Sequence, residues 1–515
     1  GEGAGEGDCE VGVDCEGVGQ EQPAAQTDVT APQPTPADVD RSAYLGCVNG
    51  SGGPRQTEDP QSPPCRSEVF QGDNGGATWQ GVTAEEIRVA LPVPDIENDD
   101  QRRAQDAIAL FVEHVNQHYM LFGRRFVVVE VEFAASSLGD PAAQRAVAQD
   151  VAAQDVFASL PLRKLGQYQE ELAERGIVSL LGDRGIGRYP ASTLDRLHPY
   201  VWAVHPSLDE THTAVGELLC QALAGRPARH GGVDVAGRAR HFGLIEEFDP
   251  DGGQSYPADR LASALSACGA AHGVYRSDDV RAGEQLDVLL RRMQQDGVTT
   301  IVCSCERLTD VPLKAAEAIG FRPEWFLPGI TDKDVDNSSG AQPNNEVREQ
   351  MKHVFGVDAN LRRPERARLT GQRLEEQFWF HAAREVDPSF EPSAAQYDDY
   401  YDYYASLLVL ASGVQWAGPD LTPQTLADAL VGLDYPNPGV GEAPWYQPSV
   451  GFGPADHGFN SDFALMWWRD PDDAAWEART DFGDMCYVGG GTRFRAGAVP
   501  ADVDELFFDP EAGCR

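Results

Sequence analysis

The chain has 515 residues with 82 acidic against 41 basic side chains, a net charge of −41, and 41 % hydrophobic residues. That length and apolar content allow two core-bearing domains. The acidity excludes nucleic acid and anionic membrane as partners, since both demand basic patches, and no run of about 18 apolar residues suggests a membrane span.

Residues 1–64 are rich in Gly, Pro, Glu, Asp, Gln and Thr and show no hydrophobic period. Such a composition cannot bury enough apolar surface to offset its ordering entropy. It reads as an acidic tether, disordered or stalk-like and part-ordered around its cysteines, with a lead-in segment over 65–81. From Val82 strands and helices alternate. A buried strand is predicted over 87–93, and the helix after it places Ile108, Phe111, Val112, Val115 and Tyr119 on one face. A strand over 126–133, an alanine-rich helix over 141–154, a short strand over 156–160, a helix over 164–175 and a strand over 177–181 follow. Further strands are predicted over 200–204, 242–245, 274–276 and 299–302, separated by helices ending near Ala222, Ala271 and Gln295. This alternation implies parallel sheets covered by helices on both faces. After about Asp332 the rhythm breaks. A polar stretch over 331–345 leads to helices near 347–355, over 396–416, and over 422–433, the last opened by Thr422-Pro423. The tail from Tyr435 is rich in Gly, Pro and aromatics, with a strand-like piece over 463–468.

Ten cysteines stand at positions 9, 15, 47, 65, 220, 268, 303, 305, 486 and 514, none in Cys-x-x-Cys spacing. Disulfides in an oxidising compartment explain them better than a zinc or redox motif. Cys9 with Cys15 and Cys47 with Cys65 are the preferred pairs, each stapling a segment too polar to hold itself together. Cys303 and Cys305 alternate along one strand and are expected on opposite faces, unbonded. The chain opens at Gly1 without an apolar leader or initiator methionine. Together with the cysteines, this favours an exported protein whose targeting segment has been removed.

Three local patterns carry a family resemblance. They are Gly72-Asp-Asn-Gly-Gly-Ala-Thr-Trp-Gln-Gly-Val-Thr83 before the first strand; Leu290-Arg-Arg-Met-Gln-Gln-Asp-Gly-Val-Thr-Thr-Ile-Val302 followed by Lys314-Ala-Ala-Glu-Ala-Ile-Gly-Phe-Arg-Pro-Glu-Trp-Phe-Leu-Pro-Gly329; and Tyr487-Val-Gly-Gly-Gly-Thr-Arg-Phe494 with Pro500. In order and spacing, over about residues 65–500, they resemble actinobacterial ABC-transporter substrate-binding proteins of the leucine/isoleucine/valine-receptor superfamily. The resemblance implies an α/β, two-lobed Venus-flytrap fold of the type I periplasmic-binding-protein kind, with three crossing strands. It places lobe 1 at 82–204 plus 321–434 and lobe 2 at 205–320 plus 435–515. It also implies a small-molecule ligand, an ABC-transporter permease as partner, no cofactor, and contact with a membrane only through a lipid anchor.

Such a protein binds at the carboxyl ends of its strands, where loops and helix N-termini converge. The strand-end loops nominate Asp95, Ser159, Leu160, Asp183 and Arg184 on the first lobe. On the second they nominate Ser207, Asp209, Glu246, Phe248, Ser304 and Glu306. Asp183 with Arg184 addresses a zwitterion or forms a surface ion pair; Phe248 stacks on a ligand or lids the core. Amino-acid-binding relatives place small hydroxyl residues in the loop after the third strand, and Ser159-Leu-Pro-Leu-Arg163 departs from that pattern with one serine.

Other chemistry finds little support. Gly182-Asp-Arg-Gly-Ile-Gly187 lacks the spacing of a dinucleotide loop and a Walker lysine, and Asp332, Asp334 and Asp336 lack the glycine and glutamate of an EF-hand. There is no G-x-S-x-G elbow and no H-E-x-x-H motif. His205 and His212, seven apart, read as a boundary feature. The run Tyr397–Tyr404 reads as packing at a lobe edge or as an aromatic wall for a ligand. The expectation is a non-enzymatic, extracytoplasmic solute-binding protein that captures a small polar or amphipathic molecule, amino-acid-like or related, for an ABC importer. The alternative is a ligand-sensing or structural cell-surface protein with a degenerate cleft.

Overall fold

Two batches of strands rich in β-branched and aromatic residues form two separate sheets. The computed structural model describes residues 48–509 apart from 51–52, 58, 60, 67–68, 96–98, 162–165, 182–188, 190, 248–256, 279–282, 306–309, 330–346, 359–376, 394–396, 436–449, 454–455, 470–483, 491, 496 and 501. The first sheet comprises β1 (Glu86–Pro94), β2 (Arg125–Phe133), β3 (Ala158–Ser159), β4 (Val178–Leu181) and β5 (Val201–Ala203). They lie in the order β2-β1-β3-β4-β5, all parallel. Helices α1 (Asp99–His118), α2 (Pro141–Ala152), α3 (Gly166–Glu174) and α4 (Ala191–Leu197) connect them. The predicted α1 stripe of Ile108, Phe111, Val112, Val115 and Tyr119 is buried against β1 residues Ile87, Val89 and Leu91. Ala90 and Val131 face the opposite way, onto α2 and α3.

The second sheet repeats the permutation. Strands β6 (Phe242–Glu247), β7 (His272–Ser277), β8 (Thr300–Ser304), β9 (Glu324–Leu327) and β10 (Val354–Asp358) lie in the order β7-β6-β8-β9-β10, again all parallel. Helices α5 (Leu208–Leu218), α6 (Asp259–Ala267), α7 (Gly283–Gln295) and α8 (Asp310–Ala318) accompany them. Antiparallel β11 (Phe463–Arg469) then pairs with β10, and β12 (Asp484–Tyr487) and β13 (Arg493–Phe494) pair with β11. The late helices α9 (Phe378–Val386), α10 (Tyr397–Ala417) and α11 (Pro423–Leu430) return to the core of the first lobe, where Trp379, Leu407, Leu410 and Leu426 are buried. Thr422 caps α11 as its sequence implies, accepting from the Thr425 amide.

Several expectations are corrected here. Residues 324–327 and 354–358 belong to the second sheet, although 321–434 was expected in lobe 1. Val450, Phe452 and Phe459 pack in the first core, although 435–515 was expected in lobe 2. The expected helix near 347–355 is one turn, Arg348–Met351, and Val354-Phe-Gly-Val-Asp358 is strand, as its β-branched and aromatic content favours. The expected tether 1–64 ends earlier. Gln56, Asp59, Gln61 and Ser62 are buried, and Tyr404 of α10 donates to Asp59 Oδ2 at 3.0 Å. Burial is the main cause that pushes the Asp59 carboxyl up to about 6.

Cys303 and Cys305 are disulfide-bonded, with Cα atoms 5.3 Å apart, against the expectation of no bond. Residues two apart on a strand share a face, and β8 ends at Ser304, so Cys305 has left the pleat. A second bridge, Cys220–Cys268, ties the end of α5 to the end of α6. By loop-closure entropy a bridge of this span is worth about 3–4 kcal/mol. Cys65 is also disulfide-bonded. Cys9, Cys15 and Cys47 lie outside the described residues.

The glycine-rich motif before β1 has a packing role at the amino ends of the strands, away from the carboxyl edge. Gly81 has φ +68°, and a Cβ there would lie 2.1 Å from the Phe157 nitrogen. Trp79 Nε1 donates to Gly176 O at 2.9 Å, and Thr78 Oγ1 to Leu421 O at 2.6 Å.

Candidate ligand site between the lobes

Among the described residues the chain leaves one lobe and enters the other three times: over 204–207, after Asp358 and before Gln377, and over 460–463. The first two passages leave the carboxyl ends of β5 and β10, and the third enters β11 beside the end of β10. The carboxyl edges of both sheets therefore border the hinge, where ligands of open α/β sheets bind. The first and third passages run side by side. Ala203 N donates to His457 O at 3.1 Å and Asn460 N to Val204 O at 2.8 Å. A Cβ on Gly458 would lie 2.5 Å from Pro206 Cα, so only glycine lets the two segments approach this closely.

A polar network links all three passages with α10 and β13. His205 Nε2 lies 3.1 Å from Asp402 Oδ1, and Asn460 Nδ2 lies 3.4 Å from His205 Nδ1. Arg493 Nε donates to Asp462 Oδ1 at 2.6 Å and Nη2 to Asp462 O at 2.8 Å, while Tyr487 OH donates to Asp358 Oδ2 at 2.9 Å. The Arg493 side chain is fully buried. Burial opposes its charge, yet the Asp462 and Asp358 carboxylates outweigh this and raise its pKa further. Nearby, Glu210 of α5 accepts from Ser207 N at 2.5 Å and, through its other oxygen, from His457 N at 3.1 Å. Burial, then the Glu210 carboxylate, push Asp456 up to about 9.

The described candidates stand at carboxyl strand ends or beside the hinge, and each already holds an internal partner. Asp95, exposed after β1, accepts from Ala135 N at 2.6 Å and so braces the end of β2. Ser159 Oγ lies 2.8 Å from Tyr168 OH and is buried, as is Leu160. Ser207 caps α5 in a capping box with Glu210. Asp209 accepts from Ala191 N and pairs with Arg260. Glu246 accepts from Ala258 N at 3.1 Å and from Arg276 Nε at 2.8 Å, which makes it a buried brace for the start of α6 and not a solvated carboxylate. Asp183, Arg184, Phe248 and Glu306 lie outside the described residues, as do 332–336.

Ser304 Oγ lies 3.1 Å from His212 Nε2, the distance of a nucleophile–base pair. Both side chains are buried, and burial pushes His212 down to about 3, far below a useful base. The pair fastens α5 to the end of β8. The aromatic run at the start of α10 packs inward: Tyr400 stacks on Trp379 at 5.0 Å, and Tyr401 and Tyr404 are buried. The hinge residues Asp358, Asp402, Asn460, Asp462, Tyr487 and Arg493 escape a search confined to strand-end loops. Asp402 within the tyrosine run and Arg493 within the closing segment are the visible signs, because a charge inside an apolar stretch needs a buried partner.

No family model matches the chain, and no curated protein matches it in sequence. Solved structures do match in shape, and the fold is that of the type I periplasmic binding proteins. An ABC-transporter substrate-binding protein of Aeropyrum pernix superposes with a TM-score of 0.52 at 12 % identity, over 82 % of this chain and 99 % of its own. A solute-binding protein of an ABC transporter from Rhodopseudomonas palustris HaA2, in complex with p-hydroxybenzoic acid, gives 0.52 at 10 % identity over 81 % and 98 %. One from Rhodopseudomonas palustris BisB5, in complex with 3,4-dihydroxybenzoic acid, gives 0.50 at 12 % identity over 80 % and 98 %.

Proposed function

We propose that this chain is an extracytoplasmic solute-binding protein that closes its two lobes on a small organic molecule and hands it, chemically unchanged, to an ABC importer. The observation that carries this reading is the duplicated 2-1-3-4-5 sheet order on either side of three passages. Two halves with equivalent carboxyl edges and a narrow connection form a jaw whose hinge motion buries a guest. Ligand affinity is reduced by the cost of leaving the open form. The disulfides Cys220–Cys268 and Cys303–Cys305 support an oxidising location. Among the described residues no helix is long and apolar enough to cross a membrane. A carboxylate-bearing amphipathic solute is favoured, because helix N-termini at strand ends suit a carboxylate and the similar structures above hold hydroxybenzoates.

A panel of amino acids, aromatic acids and aliphatic acids, followed by thermal unfolding with disulfides intact, tests this. A ligand at 100 times its Kd stabilises by about 2.7 kcal/mol. That corresponds to a shift of several degrees in Tm, and mass spectrometry of the released ligand should find it unaltered. A turned-over ligand contradicts the reading, and so does a folded sample that ignores the whole panel. The second outcome is the one expected of a sensing or structural protein, which the internal pairing of Ser159, Glu246 and Ser304 favours.

A further inference from the structure

One cluster outside the hinge has the donor set of a metal site. His114 and His118 lie one turn apart on α1, and Glu385 lies near the end of α9. Glu385 Oε2 is 2.9 Å from His114 Nδ1 and Oε1 is 2.7 Å from His118 Nε2; one donor atom from each residue falls within 4.8 Å of the other two. The His114 side chain is 5 % exposed, and its Nε2 has no hydrogen-bond partner. The Nδ1 of His118 is likewise buried and unpartnered. Buried imidazole nitrogens ordinarily find partners, and these two have none.

An ion between the three groups would take one nitrogen of each ring. Ligands of a tetrahedral zinc, with bonds of about 2.0–2.1 Å, stand roughly 3.3 Å apart and off one another's lone-pair axes. The 2.9 and 2.7 Å contacts of Glu385 with His114 and His118 are of ion-pair length, and a bound ion would open them to that spacing. We propose that His114, His118 and Glu385 form a binding site for a divalent transition-metal ion, zinc foremost. Two imidazoles and one carboxylate select borderline ions over calcium or magnesium, which prefer all-oxygen sites. The Glu385 side chain is 46 % exposed, which leaves the remaining coordination position to solvent. The ion would fasten α9, the first described helix after the chain returns to lobe 1, onto α1. It lies toward the carboxyl end of α1, away from the strand ends where a solute would bind, so it is independent of the transport reading.

The test uses the full chain without a histidine tag, stripped with a chelator and then given Co²⁺ alone. One equivalent should be retained with visible d–d absorption and be displaced by Zn²⁺, and Zn²⁺ should raise Tm. Losing a ligand costs at least what losing an outer-shell partner does, about tenfold in affinity. His118→Ala and Glu385→Gln should each therefore weaken Co²⁺ by that much and abolish the absorption, with far-UV circular dichroism unchanged. Glu385 is half-exposed, so its variant is not expected to unfold. Absence of stoichiometric Co²⁺ overturns the proposal. So does retention that is unchanged in both variants, which would mark diffuse binding to the acidic surface.

Discussion

Arg493→Met should cost about 3–5 kcal/mol of stability, the usual penalty for removing one partner of a buried ion pair. The guanidinium is fully buried and is the cation that compensates Asp462 and Asp358, two buried carboxylates on different passages of the hinge. Without it the Asp462 carboxylate loses one donor and the Asp462 backbone carbonyl another, and desolvation is no longer offset. Equilibrium denaturation in urea measures the loss. Asp462→Asn in the same chain should recover part of it, because the unpaired charge is then gone. A single-variant loss below about 1 kcal/mol would show that water or a rearranged side chain replaces the guanidinium, and the network would not hold the passages together.

Arg240→Met should have a similar cost in the second lobe, of about 3–5 kcal/mol, with a distinctive pH signature. Arg240 holds Glu324 in two-pronged fashion at 2.9 Å from Nε and from Nη2, and also reaches Asp504 at 3.2 Å. Glu324 accepts further from the amides of Arg229 and His230 at 2.8 and 3.0 Å and from Thr300 Oγ1 at 2.5 Å. Burial alone would raise the Glu324 carboxyl, but the guanidinium outweighs it and holds the group below its ordinary 4.5; the His230 and Arg240 partners similarly lower Asp504. Groups with depressed folded pKa contribute stability above their unfolded values and lose it as pH falls through the folded ones. The wild-type protein should therefore lose this contribution below about pH 4.5. In the variant the sign reverses: burial without the guanidinium raises Glu324, so stability falls as pH rises toward neutrality. The gap in stability between the two proteins should narrow from pH 7 to pH 4. A gap that stays constant or widens would mean that Glu324 is not held by Arg240.

These two arginines also mark where the sequence stops being informative. Glu86–Pro94, the edge strand Arg125–Phe133 and the buried stripe of α1 follow from local pattern, because a strand inside a parallel sheet is largely apolar, an edge strand carries charges where it meets solvent, and a helix on one face has to be apolar every third or fourth residue. The strand Glu324–Leu327 opens instead on a charged residue whose burial is licensed by Arg240, 84 positions earlier. No local pattern reveals such a pairing. The strand-end candidates were legible as positions, since loop location follows from element order. Their chemistry was not. Whether Glu246 faces a ligand or Arg276 depends on a strand that the pattern does not place beside it. The hinge network is assembled from residues 205, 358, 402, 460, 462, 487 and 493, which only the closed topology brings together. His114 and His118 stand one helical turn apart but were not singled out from the sequence, and Glu385 lies 267 residues from His118, beyond any spacing rule.

The central claim is mechanical: two separately cored halves, joined by a narrow hinge, come together over a bound solute. Small-angle X-ray scattering on the intact chain, with and without a saturating ligand identified from the acid panel, addresses it directly. Binding should shrink the radius of gyration and the maximum dimension together, and reversal should follow removal of the ligand. Saturated protein with the same scattering profile as the free form would contradict the account, because the guest would then be held without the jaw closing.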